Sequence, residues 1–232
     1  PTTFVFSHEH DDTRREFCSI LPLKKHSTCV SFIRKIKAFL ILGNSLRIHR
    51  RAIPLSAYLY ISRIVSCFPM RILGIDPGTA TVGWGVIEQN GAKTISVAYG
   101  HISTSKDLPP EKRLLEISEN IEQLVELYHP EEAGVEELFF FNNQKTVISV
   151  AQARGAILLT LERLRVNISG YTPLEVKQAL TNYGRAEKAQ IQLMVKAILR
   201  LAAIPKPDDT ADALAIALCH ASRRKMENIR NQ

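Results

Sequence analysis

From residue 71 onward the chain reads as short apolar runs broken by turn residues, followed by stretches at helical spacing. Ile72, Leu73 and Ile75 form a short buried strand that stops at Asp76. Pro77-Gly78 turns the backbone, and a second β-rich run, Val82 to Ile87, follows at once, so the pair predicts a hairpin. Strands are expected at 71–76, 82–88 and 94–102, with Gly91 in the second turn. Pro109-Pro110 then opens a helix, because Leu114, Leu115, Ile117, Ile121, Leu124, Val125 and Tyr128 recur every three or four residues. Ala133-Gly134-Val135 leads into a short strand carrying Glu136. A long helix is expected over about 143–165, and its Arg154-Gly155-Ala156 suggests close packing there. A strand at 166–171 ends at Thr172-Pro173. Helices at 173–180, 187–201 and 208–223 complete the chain, the last one set off by Pro205 and Pro207. Three strands, helix, strand, helix, strand and further helices make a mixed α/β fold with helices on a central sheet.

Charge divides the chain in two. Residues 1–69 hold 11 Lys/Arg and 4 Asp/Glu, whereas residues 70–232 hold 19 of each. The whole formal excess of +7 therefore sits in the first segment. That segment shows no sustained periodicity, and the first methionine is Met70, directly before the opening strand. Residues 1–69 are expected to be a non-native or disordered leader, with a transit peptide or a basic arm as the alternatives. The patch His8-Glu9-His10-Asp11-Asp12 is expected to be a solvated polar run within it. Residues 70–232 are expected to be the functional domain. No CxxC spacing occurs, which removes the zinc and thioredoxin-like motifs, and Cys219 reads as a reduced, semi-buried thiol. No stretch reaches roughly 18 apolar residues without a charge, so no membrane span is expected.

Four carboxylates stand in unusual company. Asp76 ends the first strand, and Glu136 ends another between apolar neighbours in AGVEELFFFNN. Asp209 and Asp212 lie three apart at the start of the last helix, on one face. The helix dipole accounts for acids in the first turn, but not for Asp212 within an Ala-rich packing stretch. Taken singly, each has a bland reading as a cap or a paired helix acid. Together they make a hard, oxygen-rich site suited to Mg²⁺ or Mn²⁺. Two such ions suit the in-line cleavage of a phosphodiester.

The blocks RILGIDPGTATVGWGVIE, GVEELFFFNNQKTVISVAQARGAIL, YTPLEVKQALTNYGRAEKAQIQLMV and DDTADALAIALCHA resemble the RuvC family, the Holliday-junction resolvases of bacteria. The resemblance covers about residues 70–225. It implies an RNase H-like fold with a mixed central sheet flanked by helices. It also implies a cytoplasmic homodimer that nicks two like-polarity strands of a four-way DNA junction. The implied cofactor is Mg²⁺ at two ions per subunit, with Mn²⁺ able to substitute. A branch-migration helicase complex of the RuvA and RuvB type is the implied partner. The family's four catalytic and metal-holding acids fall on Asp76, Glu136, Asp209 and Asp212.

Three consecutive aromatics, Phe139-Phe140-Phe141, cannot all face one core from a strand, and an exposed one suits stacking on an unpaired base. The resemblance places such a role on Phe139. It also assigns DNA contact to Lys177 and Lys188, while Arg185 is expected beside them from its place in the loop TNYGRAEK. Gly184 in that loop would let the backbone approach a phosphate. Lys145 is expected on a solvated helix face. Competing readings are another RNase H-like nuclease, an actin-like kinase, and a junction-binding module that does not cut. The kinase would need further phosphate loops, and no Gly-rich P-loop appears. The non-cutting module would have no need of four acids.

Overall fold

A proline and a glycine after Asp76 reverse the chain and set the sheet's first pairing. In the computed structural model, which describes residues 69–91, 93–137 and 144–230, strand β1 (Met70–Asp76) pairs antiparallel with β2 (Thr81–Asn90). Gly91, at φ +58°, turns β2 into β3 (Lys93–Ser103). Helix α1 (Pro110–Tyr128) starts on a proline, whose missing N–H costs nothing in a first turn, and ends on His129 in the left-handed region. Then come β4 (Glu132–Glu136), α2 (Gln144–Arg163) and β5 (Asn167–Tyr171). Helices α3 (Pro173–Thr181), α4 (Lys188–Leu199) and α5 (Asp208–Arg230) close the chain. Thr172 and Glu175 form a reciprocal capping box at the start of α3.

The sheet order is β3-β2-β1-β4-β5, with β4 parallel to both β1 and β5. One face packs Leu73, Ile75, Trp84, Ala133 and Val135 against Ile117, Ile121, Ile157 and Leu161 of α1 and α2. The other packs Ile72, Ile87 and Tyr171 against α3, α4 and the apolar side of α5. The sequence pattern predicts a mixed α/β fold with helices on a central sheet, and the structure places those helices on both of its faces. The described residues belong to one compact unit, and none of their helices is long and apolar enough to cross a membrane.

Helix α5 lies unusually close to the sheet because its floor has no side chains. Gly85, Gly74 and Gly134 stand in one row across β2, β1 and β4. A Cβ on Gly74 would fall on the Ala213 carbonyl and within 2.7 Å of the Ala217 nitrogen, and one on Gly85 within 2.6 Å of Leu214 Cδ2. A Cβ on Gly83 would strike the Asp209 carbonyl. Small residues on both surfaces thus seat the N-terminus of α5 over the end of β1. Buried Thr210 adds a bond from its hydroxyl to the Gly100 carbonyl of β3 at 3.2 Å.

One expectation changes. Gly155 admits no close neighbour: it is exposed, and a Cβ there would meet nothing within 4 Å among the described residues. At Gly184 a Cβ would lie 2.7 Å from Cδ1 of the exposed Leu174 side chain, and the glycine has no left-handed φ. Residues 1–68 of the expected leader, the run Phe139-Phe140-Phe141 and the side chain of Lys145 lie outside the described residues.

Candidate active site

Two parallel strands end side by side with acids at their tips. Ile75 pairs with Val135, so the next residues, Asp76 and Glu136, are neighbours at the carboxyl ends of β1 and β4. Their side chains share a hydrogen bond. Asp209 and Asp212 arrive from above on the first turns of α5. Carboxylate oxygens of Asp76, Asp209 and Asp212 lie within 4.8 Å of one another. All four expected acids therefore meet, three directly and Glu136 through Asp76.

Crowding and burial make this cluster unfavourable as bare carboxylates. Burial, then repulsion from and a hydrogen bond to Glu136, and then Asp212 and Asp209, push the Asp76 carboxyl from 3.8 up to about 9. Burial also raises Glu136, helped by Asp212 and opposed by Asp76 and Lys188. Asp212 rises through burial and its neighbours Asp209 and Asp208, against the pull of Lys188. Burial and the crowding of acids thus raise both Asp76 and Glu136 above the ordinary carboxylate range, and a cation held there would relieve that crowding.

Lys188, expected at a DNA phosphate, stands inside this acid group. Its Nζ lies 2.9 Å from Asp212 Oδ2 and 3.5 Å from Asp208 Oδ2. Burial lowers the affinity of Lys188 for its proton, but Asp212 and Asp208 outweigh that and raise it. Lys177 sits half-buried on α3 and Arg185 is exposed in the loop before α4. Of the three expected DNA cations, Lys188 is the one tied to the acids by an ion pair.

Further residues frame the site that the linear sequence did not single out. Arg113 of α1 donates to the Thr79 carbonyl at 2.7 Å and to Thr104 Oγ1 at 2.8 Å, and that hydroxyl donates to Thr79 O at 2.6 Å. These bonds pin the turn after Asp76. Asp208 supplies a fifth acid through Lys188. Arg113 lies 34 residues from Thr79, so no local pattern announces it. Asp208, by contrast, was visible in the run of acids but looked like a helix-start residue.

The donor set suits a divalent cation. Every candidate ligand atom is a hard carboxylate oxygen, and an ammonium already stands among them.

Comparison with known proteins agrees with this geometry. The family model for crossover junction endodeoxyribonuclease RuvC matches residues 72–220. The chain belongs to the RuvC family. It is 51% identical over 152 residues to the crossover junction endodeoxyribonuclease RuvC of Caldicellulosiruptor saccharolyticus, covering 65% of this chain and 92% of the relative. It is 52% identical over 160 residues to that of Brevibacillus brevis, covering 69% and 96%. Among solved structures, Thermus thermophilus RuvC is 37% identical with a TM-score of 0.64, covering 68% of this chain and 97% of its own. T. thermophilus RuvC in complex with a Holliday junction substrate gives 0.65 at the same identity, covering 68% and 96%. The five-stranded mixed sheet flanked by helices is the RNase H-like architecture that the resemblance implied.

Proposed function

We propose that this chain resolves four-way DNA junctions as a metal-dependent endodeoxyribonuclease, with Asp76, Glu136, Asp209 and Asp212 as its catalytic, metal-holding acids. The observation that carries the reading is the convergence of carboxylates whose own repulsion and burial leave them short of positive charge. Mg²⁺, two ions per subunit, is the cofactor proposed, with Mn²⁺ able to substitute. Ions held there would supply Lewis acidity for activating the attacking water and for stabilising the leaving oxygen.

The chain's own groups do the rest. Asp76 and Glu136 sit on strand ends fixed by the sheet, so their separation is set before substrate arrives. Asp209 and Asp212 ride on α5, held down by the glycine floor. Lys188 offers its ammonium to a phosphate oxygen once Asp212 has another cation to face. Phe139 is proposed to stack at the junction centre. Lys177 and Arg185 are proposed to neutralise flanking phosphates and so to set position without reading sequence.

Residues 70–232 are proposed as the nuclease domain and the homodimer as the working unit. An exposed stripe of apolar and small residues along α2, namely Ile148, Ala151, Gly155 and Leu159, supports a second copy lying there. Gly155 would then admit close approach by the partner, not by its own chain.

The test is cleavage of a synthetic mobile four-way junction and a matched linear duplex by the full chain and its Asp212→Asn variant, with and without Mg²⁺. Symmetric nicks on the junction alone, lost in the variant and without metal while binding persists, are the expected result. Binding without cutting by both proteins would sink the nuclease reading and leave a junction-binding module.

A further inference from the structure

Arg154 lies in the middle of α2, half-buried, and its Nε donates to the main-chain carbonyl of Glu136 at 2.8 Å. The sheet explains why that carbonyl needs a side chain. Glu137 N donates to Tyr171 O on the β5 side at 2.8 Å. Successive main-chain groups of a strand point to opposite sides, so the Glu136 carbonyl faces β1. The residue that would donate to it in the parallel ladder is the one after Asp76. That residue is Pro77, which has no N–H. The turn that ends β1 at Asp76 thus removes the hydrogen bond that would have fixed the end of β4. A carbonyl left bare at a half-buried strand end is costly, and a guanidinium satisfies it with a charge-assisted bond.

We propose that Arg154 is a positioning residue for the cut: it replaces the missing ladder bond and so holds Glu136 against Asp76 in the geometry that takes the metal. The inference rests on the reading of these acids as metal ligands. It assigns Arg154 to the protein side of the site, not to a DNA phosphate. Groups that orient ligands in this way are worth roughly 10–100-fold in metal affinity or activity when removed, and a bond to the ligand's backbone belongs at the low end.

The test uses the full chain with Arg154→Gln and Arg154→Lys. Mn²⁺ binding is measured by calorimetry without DNA, and the Mg²⁺ midpoint of junction cleavage is measured beside it. Junction affinity is measured in Ca²⁺ across a salt series. Arg154→Gln should weaken Mn²⁺ binding and raise the Mg²⁺ midpoint by about tenfold, with junction affinity and salt slope unchanged. Arg154→Lys, which keeps a donor, should recover part of the shift. If thermal melting shows the Gln variant unfolded, the Lys variant decides by the same readouts: a partial shift in metal affinity supports the assignment, and none overturns it. An unchanged metal midpoint with weaker junction binding and a shallower salt slope would make Arg154 a phosphate contact and overturn the proposal. Asp76→Asn in the same titrations separates the two readings. If it binds Mn²⁺ and cuts like the parent, the site reading itself fails. If it does neither while Arg154→Gln behaves like the parent, the Arg154 assignment alone fails.

Discussion

Strand β4 carries a glutamate at each end, both on the face beneath α5, and the two are treated in opposite ways. Glu132, at the start, is fully paired. His220 Nε2 lies 2.6 Å from Glu132 Oε2, and Arg224 donates to Oε1 at 3.2 Å. Tyr171 Oη bonds the other ring nitrogen of His220 at 2.9 Å. Burial works against the Glu132 carboxylate, but His220 and Arg224 more than offset it and hold the acid below its ordinary range. Glu136, at the other end, has acids for neighbours and is pushed up. The same strand, helix and residue type thus give one carboxylate that ties the fold together and one kept short of partners. A protein tolerates the second arrangement where another cation is to be bound.

The comparison breaks most sharply at Glu136. Glu136→Gln should lower junction cleavage by at least about a thousandfold, the order expected when several kcal/mol of metal-borne stabilisation is lost at 1.36 kcal/mol per decade. Its melting temperature should stay level or rise, because a repelling carboxylate has gone. A single-turnover cleavage assay and a thermal melt on the same sample check both. A variant that cuts normally would put the chemistry elsewhere.

Glu132→Gln should show the reverse. It leaves His220 and Arg224 with a neutral partner in a buried setting and should cost about 2 kcal/mol, or about 4–8 °C in melting temperature for a domain of this size. Cleavage per folded molecule should be unchanged. Loss of cleavage at full folding would mean that this network reaches the acids along α5 and is not merely structural.

The Glu136 side of this contrast was legible in the sequence and the Glu132 side was not, for physical reasons. Strands, helices and their ends are local signals: alternation, helical spacing and the prolines at 77, 110 and 173 placed every element start within a few residues, whereas the last helix runs to Arg230 and not to 223. Asp76, Glu136 and Asp212 stood out because each interrupts an apolar context, and Asp209 because it lies three residues before Asp212 on the same helix face. What could not be read were contacts made only by the closed sheet. The glycines at 74, 85 and 134 form a row because three separate strands are in register. Glu132 meets His220 across 88 residues, and Lys188 meets Asp212 because α4 folds back on α5. Arg154 meets the Glu136 carbonyl across 18 residues, and it does so because Pro77, on another strand, leaves that carbonyl without a ladder donor.

The two ends should also carry opposite pH slopes, a subtler effect than either substitution. Glu132 is depressed in the fold, so its stabilisation is present above the ordinary glutamate range near 4.5 and lost as pH falls through its lower folded value. Asp76 is raised, so the folded protein binds its proton more tightly and metal-free stability falls as pH rises from 3.8 toward about 9. Denaturant midpoints measured from pH 3 to 9 in chelator should therefore fall at both extremes. Glu132→Gln should flatten the acid limb and Asp76→Asn the alkaline one. Saturating Mg²⁺ should remove the alkaline loss in the parent, since a cation held there offsets the repulsion among the carboxylates.

The smallest effect belongs to Asp208, which shares Lys188 with Asp212. The Lys188–Asp208 pair spans 3.5 Å, with side chains 51% and 61% exposed, so solvent screens it and its stability contribution is small. Asp208→Asn should change stability by less than about 0.5 kcal/mol. Its consequence should appear instead at Asp212. Without Asp208, the ammonium has one acid to face and competes harder with a metal for it. The Mg²⁺ midpoint for cleavage should then rise modestly, and the rise should shrink with added salt as the ammonium is screened. In a Lys188→Met background the same substitution should have less effect, because no ammonium remains to be shared. An equal effect with and without Lys188 would show that Asp208 acts on the metal by its own charge. It would then belong with Glu136, among the acids kept for a cation, and not with Glu132.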